Sequence, residues 1–350
     1  MLFFAPGPST STRRDTVRVP VVRGRLELKA TRAFYTYWRF AGERQEMFFR
    51  NLHGHQVLTG DPILSSYRFT NAYRASDRVS QFLLSHVIPG STDEIDTVFR
   101  TLLFKIFNRI DTWRYLVNRL GSLHYSNFST KQYDAVLSEA ISSGSRIYSA
   151  AYIMPSPQFG LQRKHSNHIA LLKFMMDDQL PRRLQHCTSL RQAYELLLSY
   201  RSLGPFLAFQ FVTDLNYSSI LDFEERDFVV AGPGAVDGIR KCFVETAGLT
   251  NEDVIKAMAD IAHEQFSALG IKFLDLWGRP LQLIDCQNLF CEVDKYCRVA
   301  HPELSGASGR TRIKQRYVPN VEPMRRLYPE KWHLNTSLER RPTPAVISAA

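Results

Sequence analysis

The stretch VVAGPGAVDGIRKCF, residues 229–243, contains the residues best suited to bind an anion. Gly232 and Gly234 can adopt positive φ or let another backbone approach closely, because they carry no Cβ atom. The helix predicted after them would point its first N–H groups outward, where they attract a phosphate oxygen. Arg240 and Lys241 add two cations one turn further on. The stretch therefore predicts a phosphate-binding turn, although a plain turn between two helices explains the glycines equally well.

A second candidate is Asp285 in LQLIDCQNLFCEVDKYCR, where it stands directly before a helix predicted over 286–300. A carboxylate fixed at such a place can move a proton or stabilise positive charge that develops on a sugar. An aspartate before a helix also caps it well, and that role stays open. Asn288 stands where a full capping box would carry Glu or Gln.

The excess of positive charge lies at the two ends of the chain. The formal net charge is +10, and residues 1–50 hold ten Lys and Arg against four Asp and Glu. Residues 308–350 hold nine against three, so the middle is close to neutral. In the densest piece every second residue is basic: Arg310, Arg312, Lys314 and Arg316. An extended segment would project all four to one side, which suits a row of phosphates, and the alternative is a solvated basic tail.

Polar side chains that could read a nucleobase occur in two motifs. Residues 67–81 mix aromatic, amide and charged side chains, and at helical spacing they would share two faces. From this motif we select Asn71, Tyr73, Arg74, Asp77 and Gln81. Gln210 and Asp214 lie one turn apart in strongly apolar surroundings and could line the opposite wall. A structural Arg–Asp network and a buried hydrogen-bonded pair explain the same residues.

The composition is that of a globular protein, with 44% hydrophobic and 12% aromatic residues in 350. No window approaches the roughly 18 apolar residues of a membrane span, so no membrane association is expected. The odd number of five cysteines favours a reducing compartment, and we expect a cytoplasmic protein. Neither the cysteines nor His165 and His168 form a complete ligand set, so we expect no metal and no cofactor.

Helical periodicity dominates from about residue 30 onward, and predicted helices include 71–87, 93–120, 235–246 and 251–268. Residues 17–30 alternate with a period of two, which is compatible with a small N-terminal β-hairpin. We therefore expect a mainly α protein. Three regions are predicted, namely a flexible basic N-terminal segment over 1–30, a helical domain over 31–307 and a basic C-terminal tail over 308–350.

Several motifs resemble known families. The h-x-G-x-G pattern of the hairpin at 229–243 resembles the helix-hairpin-helix motif of DNA glycosylases. RFTNAYRASDRVSQ, LFKIFNRIDTW, LGPFLAFQFVTDLNYS, the Asp285 helix and GRTRIKQRYVP are together similar to the α-glutamyl/putrescinyl thymine pyrophosphorylase family. That family is thought to be a branch of the helix-hairpin-helix glycosylases and is linked to hypermodified phage DNA. The resemblance spans roughly residues 60–320.

The resemblance implies a helix-hairpin-helix DNA glycosylase-like architecture and DNA with C5-hypermodified pyrimidines as the partner. The expected activity is excision of the modified base, in defence against phage, with Asp285 beneath the deoxyribose. Gly232, Gly234, Arg240, Lys241 and the four basic residues of 310–316 would bind the DNA backbone. Bifunctional relatives carry a lysine where this chain has Val236, which implies a monofunctional enzyme that leaves an abasic site.

Two other functions remain open at this point. A transferase of the same fold would displace pyrophosphate from the 5-methyl group of a modified thymine and attach an amine or amino acid. In that case Asp285 would serve as a base toward the amine. The sequence contains no GxxxxGK[ST] phosphate loop that would indicate a kinase. A DNA-binding module without chemistry is the third alternative.

Overall fold

The computed structural model of the chain describes residues 16–21, 24–319 and 324–339. Helices dominate these residues, and a three-stranded antiparallel sheet is the minor element, so the predicted mainly α class is confirmed. The strands are β1 (Thr16–Val21), β2 (Gly24–Ala30) and β3 (Phe243–Glu245). The helices are α1 (Arg32–Leu52), α2 (Pro62–Ser66), α3 (Arg78–Phe82), α4 (Glu94–Phe107), α5 (Ile110–Leu120), α6 (Thr130–Ser142), α7 (Lys164–Asp177), α8 (Leu180–Gln185), α9 (Leu190–Leu198), α10 (Pro205–Leu215), α11 (Pro233–Cys242), α12 (Asn251–Ala268), α13 (Leu283–Ala300) and α14 (Asn335–Glu339).

The N-terminal hairpin predicted from two-residue alternation is confirmed. β1 pairs with β2 in register from Thr16 opposite Lys29 to Val21 opposite Gly24. The alternation buries Val19 and Leu28, and β1 lies against α12. Residues 16–21 and 24–30 of the predicted flexible segment therefore belong to an ordered sheet.

The third strand of the sheet was not predicted, because the sequence pattern suggested a helix over 235–246. The helix α11 ends at Cys242, whose carbonyl accepts a hydrogen bond from the Thr31 amide at 2.8 Å. Phe243 then packs on Phe34 of α1 with ring centroids 5.5 Å apart, and β3 pairs with β2. A pairing partner more than 200 residues away thus overrides the local helical pattern.

The helices form two groups that meet along α13 and the segment before α3. The first group contains α1, α11, α12 and α13 beside the sheet, and the second contains α4 to α10. In the first group the Tyr37 hydroxyl donates to the carbonyl of Cys286 on α13, and the Tyr37 ring packs on Phe290. In the second group α4 is buried along nearly its whole length. The residues that link the groups form the candidate site.

Two glycines let α11 approach α13 closely. A Cβ atom at Gly234 would overlap the Cys291 side chain, and one at Gly238 would overlap the Phe290 backbone. The preceding helix α10 ends at Leu215, so residues 216–232 separate it from α11. Gly232 is the N-cap of α11 with a φ of −73°, and Gly234 lies inside the helix, so the tight helix-hairpin-helix arrangement is not confirmed. We call the irregular residues 229–232, which lead into α11, the glycine turn. Instead, the glycine spacing serves a close contact between helices.

The C-terminal part of the described chain returns to the helical body. Residues 309–319 form neither helix nor strand, apart from a β-bridge between Arg316 and Tyr67. The Asp237 carboxylate on α11 accepts hydrogen bonds from the Ser308 amide and hydroxyl. Residues 324–339 pack beside the candidate site, where the Tyr328 hydroxyl lies 2.8 Å from Ser76 Oγ. The stretch predicted as a basic tail thus contains an anchored extended piece and a packed segment.

Candidate active site

The segment around Arg74 is a tight turn, and the expected helix over 71–87 is wrong in its first part. A short 3-10 helix covers Arg74–Ser76, and α3 begins only at Arg78. The Asp77 carboxylate accepts a hydrogen bond from the backbone amide of Asn71 at 2.7 Å, which closes the turn. The two faces expected from helical spacing therefore do not exist, and the turn directs Arg74 into the protein interior.

The Arg74 side chain is 2% exposed and binds two residues of α10. Its Nη2 atom lies 2.6 Å from Asp214 Oδ1, and its Nε atom donates to Gln210 Oε1 at 3.1 Å. Burial lowers the pKa of the guanidinium, but the Asp214 carboxylate together with Tyr217 and Tyr152 outweighs this effect and raises the pKa well above its usual value. Arg74 is therefore a permanent buried cation.

Lys105 of α4 provides a second cation for the same carboxylate. Its Nζ atom lies 2.8 Å from Asp214 Oδ2, and both side chains are almost completely buried. Burial lowers the pKa of Lys105 to about 8, although Asp214 opposes this shift. Burial alone would raise the pKa of Asp214, but Arg74 and Lys105 outweigh it and lower the pKa. Asp214 thus stays ionised, while Lys105 can lose its proton near neutral pH.

Asp285 occupies the first turn of α13 and is only 4% exposed. Its Oδ2 atom accepts a hydrogen bond from the backbone amide of Gln282 at 2.9 Å, as part of a capping box. Its Oδ1 atom accepts a hydrogen bond from the backbone amide of Arg74 at 2.8 Å. Burial raises the pKa of Asp285 to about 6, and the two amide hydrogen bonds limit the shift. The N-cap role that the sequence left open for Asp285 belongs to Gln282, because α13 begins at Leu283 and Asp285 is the third residue of the helix. The Asp285 side chain completes the capping box from inside the helix and also fixes the Arg74 turn.

The glycine turn reaches these residues through Gln287 of α13. A Cβ atom on Gly232 would lie 3.3 Å from Gln287 Nε2, and Gln287 Oε1 accepts from Gln210 Nε2 at 3.4 Å. The Ala231 amide of the turn already donates to Glu252 Oε1 at 2.8 Å. The turn and the interior polar groups are thus in direct contact. We call Arg74, Lys105, Gln210, Asp214, Asp285 and Gln287 the polar cluster.

A second carboxylate with a raised pKa lies beside the polar cluster. Arg279 Nη2 donates to Glu225 Oε1 at 2.9 Å, and the Arg279 guanidinium lies 3.7 Å from the ring centroid of Trp332. Burial raises the pKa of Glu225 to about 7, although Arg279 opposes the shift. Groups that titrate near neutrality gather at functional sites, so this pair extends the candidate site toward the C-terminal segment.

The structure brings some predicted base-pocket residues together and separates others. Arg74, Gln210 and Asp214 meet in the polar cluster. The Tyr73 hydroxyl donates to the Arg279 carbonyl at 2.6 Å. Gln81 binds the backbone of Ala75 and Leu327. Their polar atoms serve internal contacts.

Asn71 and Asp77 hold the turn rather than face an open pocket. Asn71 Oδ1 accepts from Arg44 Nη2 at 2.9 Å, and Asn71 Nδ2 donates to the Ser76 carbonyl at 2.8 Å. Burial raises the pKa of Asp77 to about 7, and the hydrogen bond from the Asn71 amide opposes this shift. Both residues therefore stabilise the backbone that presents Arg74.

Lys241 does not face solvent, and its predicted contact with DNA phosphate is wrong. Its Nζ atom lies 2.9 Å from Asp294 Oδ1 on α13, and its side chain is 2% exposed. The reason is the helical repeat, because Lys241 follows Gly234 and Gly238 on the face of α11 that packs against α13. Arg240, one residue earlier, is exposed at the end of α11.

The four basic residues of 310–316 are exposed in an extended segment that has a fixed position. The Arg68 amide donates to the Gln315 carbonyl at 3.1 Å, and the Tyr317 amide donates to the Ser66 carbonyl at 3.0 Å. The Arg316 guanidinium lies 4.6 Å from the ring centroid of Tyr67. The segment therefore runs beside the chain that leads into the Arg74 turn.

Sequence reasoning missed three residues of this region. Lys105 had a usable signal, since a lysine inside the apolar run TLLFKIF needs a buried partner. Glu225 lies in an acidic stretch that reads as surface, and Tyr152, which covers Lys105, lies in a segment without periodicity. Their positions depend on contacts between distant parts of the chain.

Two surface grooves lie away from the polar cluster. One of about 650 Å³ lies between α6 and α7, and one of about 380 Å³ lies along α8 and α9. None of their lining residues belongs to the polar cluster. Among the described residues there is no group of three or more His, Cys, Asp or Glu arranged to hold a metal ion. Within the same ranges, no helix combines the length and apolar character that a membrane span requires.

Comparison with known proteins identifies the family. A family model described as "5-hmdU DNA kinase, helical domain" matches residues 31–306, and the chain therefore belongs to this family. The 5-hmdU DNA kinase of Bacillus phage SP10 is 23% identical over 278 residues, which cover 73% of this chain and 43% of that relative. The chain thus spans less than half of the relative's length. No solved structure matches the chain significantly.

These matches correct the expected activity. The broader part of the predicted resemblance is confirmed, because the matches indicate a phage-associated family of enzymes that act on modified thymine in DNA. The matches do not show the pyrophosphorylase family itself. The expectation of a base-excising glycosylase that leaves abasic sites and acts in phage defence is wrong, since the named relative is a kinase and hence a transferase. In the structure Asp285 is 4% exposed, and its two carboxylate oxygens accept hydrogen bonds from the backbone amides of Arg74 and Gln282.

Proposed function

We propose that this chain recognises 5-hydroxymethyl-2′-deoxyuridine in DNA and belongs to a group-transfer enzyme that modifies the 5-hydroxymethyl group. The observation that carries the proposal is the convergence of separate motifs on one buried cluster. Arg74, Lys105, Asp214 and Asp285 come from four distant segments, all inside the region 31–306 that matches the family. Buried charged groups are costly, so such a set is maintained for a purpose beyond packing.

The proposed DNA-binding surface is the exposed basic segment 310–316 together with Arg240. Cations at alternate positions of an extended chain can follow the phosphates of one strand. Two anchors support this role, because Asp237 holds Ser308 and the segment pairs with residues 66–68. A strand bound there would lie near the Arg74 turn and the glycine turn at Gly232.

The proposed base-binding site is the polar cluster. A target base inside a duplex is out of reach, so the nucleotide must leave the stack and enter the protein. Arg74 and Lys105 supply donors, and Gln210 supplies an amide that can read the edge of a pyrimidine. The hydroxymethyl group would then lie among groups that titrate near neutrality. We assign this chain the recognition of base and strand, and we assign no nucleotide-binding residues to it.

Displacement of pyrophosphate by an amine is a second candidate reaction, favoured by the acid–base groups beside the cluster. Phosphoryl transfer depends mainly on positioning and electrostatics, whereas attack by an amine requires proton removal. In this reaction the bond between the 5-methylene carbon and the pyrophosphate oxygen breaks, and a carbon–nitrogen bond forms. The proton lost by the amine would pass to Asp285, whose pKa is raised to about 6 by burial.

The proposed function is tested with two labelled duplexes that differ only in one base, 5-hydroxymethyl-2′-deoxyuridine or thymidine. Fluorescence anisotropy should give the lower Kd for the duplex with the modified base. Equal Kd values for the two duplexes would contradict the proposal. Because the basic segment contacts only phosphates in this account, Lys314→Ala should weaken both complexes by the same factor.

Nucleoside mass spectrometry tests the second candidate. The substrate is a duplex that carries 5-pyrophosphorylmethyl-2′-deoxyuridine, incubated with the protein and either glutamate or putrescine. The reaction predicts a nucleoside that has lost pyrophosphate and gained the amine, and Asp285→Asn should abolish it. An unchanged nucleoside with every amine would exclude this candidate, while the first test would still stand.

A further inference from the structure

Tyr152 adopts an unusual conformation at the edge of the polar cluster. It lies between α6 and α7, in the fully described stretch 143–163, which forms neither helix nor strand. Its φ is +56°, a region that a residue with a bulky side chain rarely adopts. The next residue, Ile153, is 69% exposed. A strained residue on an irregular exposed segment persists only where surrounding contacts hold it, and such residues cluster at functional sites.

Two contacts of the Tyr152 ring join it to the polar cluster and to α10. The ring stacks on Phe206, the second residue of α10, with centroids 5.8 Å apart and planes 19° apart. The second contact is with Lys105, whose Nζ atom lies 4.3 Å from the centroid of the Tyr152 ring. The Tyr152 ring thus covers the cation that neutralises Asp214.

Phe206 connects this ring pair to the glycine turn. A Cβ atom on Gly232 would lie 2.6 Å from Phe206 Cε2, so the turn backbone lies directly against the ring. The path from the turn to the interior therefore runs from Gly232 through the Phe206–Tyr152 pair to Lys105.

One buried hydrogen-bond donor of the polar cluster is unsatisfied. Arg74 Nη1 is buried, and no hydrogen-bond partner for it exists among the described residues. An unsatisfied buried donor is costly, and a ligand with an acceptor would relieve that cost. Both Arg74 and Lys105 bind Asp214, so an acceptor beside Asp214 would meet two cations.

We propose that the Tyr152 ring occupies the place of the target base, and that a pyrimidine flipped out of DNA displaces it, stacks on Phe206 and meets Lys105 and Arg74. The inference rests on the proposed function and adds the residues that receive the base. Phe206 supplies the stacking surface, and the oxygen substituents of the pyrimidine accept hydrogen bonds from the two cations. Tyr152 closes the site when no base is bound.

The inference predicts effects of opposite sign for the two rings. Tyr152→Ala removes the group that the base must displace, so the Kd for the duplex with 5-hydroxymethyl-2′-deoxyuridine should fall about two- to tenfold. Phe206→Leu retains an apolar side chain but removes the stacking surface, so the same Kd should rise by a similar factor. Neither variant should change the Kd for the thymidine duplex, and Ile153→Ala should change neither value.

A second variant and a second readout protect the test from a folding defect. Tyr152→Gly relieves the positive φ and should show the same gain as Tyr152→Ala. With 2-aminopurine beside the modified base, fluorescence should rise on binding of wild type, rise further with either Tyr152 variant, and rise less with Phe206→Leu.

The outcomes separate the two proposals. If wild type prefers the modified duplex but neither Tyr152 variant binds it more tightly, only the inference about the ring is overturned. If wild type shows no preference, the proposed function fails and this inference fails with it. A loss of preference in all three ring variants would indicate a purely structural ring pair and would also overturn the inference.

Discussion

The backbone amide of Arg74 donates to Asp285 Oδ1 at 2.8 Å, so these two residues join the Arg74 turn to the first turn of α13. The same arginine binds Asp214 of α10 through its guanidinium. One residue thus connects the two groups of helices by its main chain and its side chain. A substitution of Asp285 or of Asp214 should therefore affect both the stability of the fold and the geometry of the candidate site.

Asp214→Asn should strongly destabilise the protein. The substitution leaves Arg74 and Lys105 as buried cations without a counter-charge, and breaking a buried ion pair in this way costs about 3–5 kcal/mol. Urea denaturation measures the free energy of unfolding. The matched control is Asp177→Asn, because the Lys173–Asp177 pair is half exposed and contributes little. A loss no larger than that of the control would show that the buried charges are not coupled.

The stability of wild type should depend on pH through Glu225. Its pKa is about 7 in the folded protein, against an ordinary value of 4.5, so the folded state binds the proton more tightly. The stabilisation that protonated Glu225 adds to the unfolding free energy is complete below about pH 4.5 and is lost as pH rises through 7. Relative to Glu225→Gln, the unfolding free energy of wild type should fall by on the order of 3 kcal/mol across this interval. Parallel pH profiles for the two proteins would contradict the prediction.

Gly238→Ala should destabilise the α11–α13 contact, because the new methyl group would overlap the Phe290 backbone, which cannot rotate away. Overpacking of this kind costs about 1–3 kcal/mol or more. Gly234→Ala meets the Cys291 side chain instead, so adding Cys291→Ala should recover part of the loss. Gly60→Ala has open space around the added atom and provides the control in the same denaturation series. Additive losses at Gly234 and Cys291 would argue against the close approach.

The salt dependence of DNA binding should report on the basic segment. Each phosphate contact that is removed lowers the slope of log K against log salt by about 1. Arg312→Ala and Lys314→Ala should each do so, with equal effects on modified and unmodified duplexes. Lys131→Ala, an exposed change on α6 in the second group of helices, should leave the slope unchanged. An unchanged slope in both test variants would remove the segment from the DNA-binding surface.

Local signals in the sequence predicted the elements that depend on local contacts. The helix predicted over 251–268 coincides with α12, because Thr250 and Asp253 form a capping box within four residues. The hairpin over 17–30 followed from alternation alone. The apolar surroundings of Gln210 and Asp214 correctly indicated that these polar groups need partners.

The remaining features depend on contacts between distant segments. The Arg74 turn replaces a helix because Asp285, 211 positions later, accepts its amide. Lys241 is buried because α13 supplies Asp294. The positive φ of Tyr152 has no local sequence signal, since the contacts of its ring with Phe206 and Lys105 are made with distant parts of the chain. Such pairings cannot be obtained from periodicity or capping rules.

The sheet has a practical consequence for the preparation of fragments. The region that matches the family begins at residue 31, directly after β2, yet β3 at residues 243–245 lies inside it and pairs with β2. A recombinant fragment started at residue 31 would lack the strand that covers β3 and the Leu28 side chain that fills the core. Its freshly uncovered strand would present free N–H and C=O groups, which invites aggregation. Expression of an isolated domain should therefore retain the hairpin.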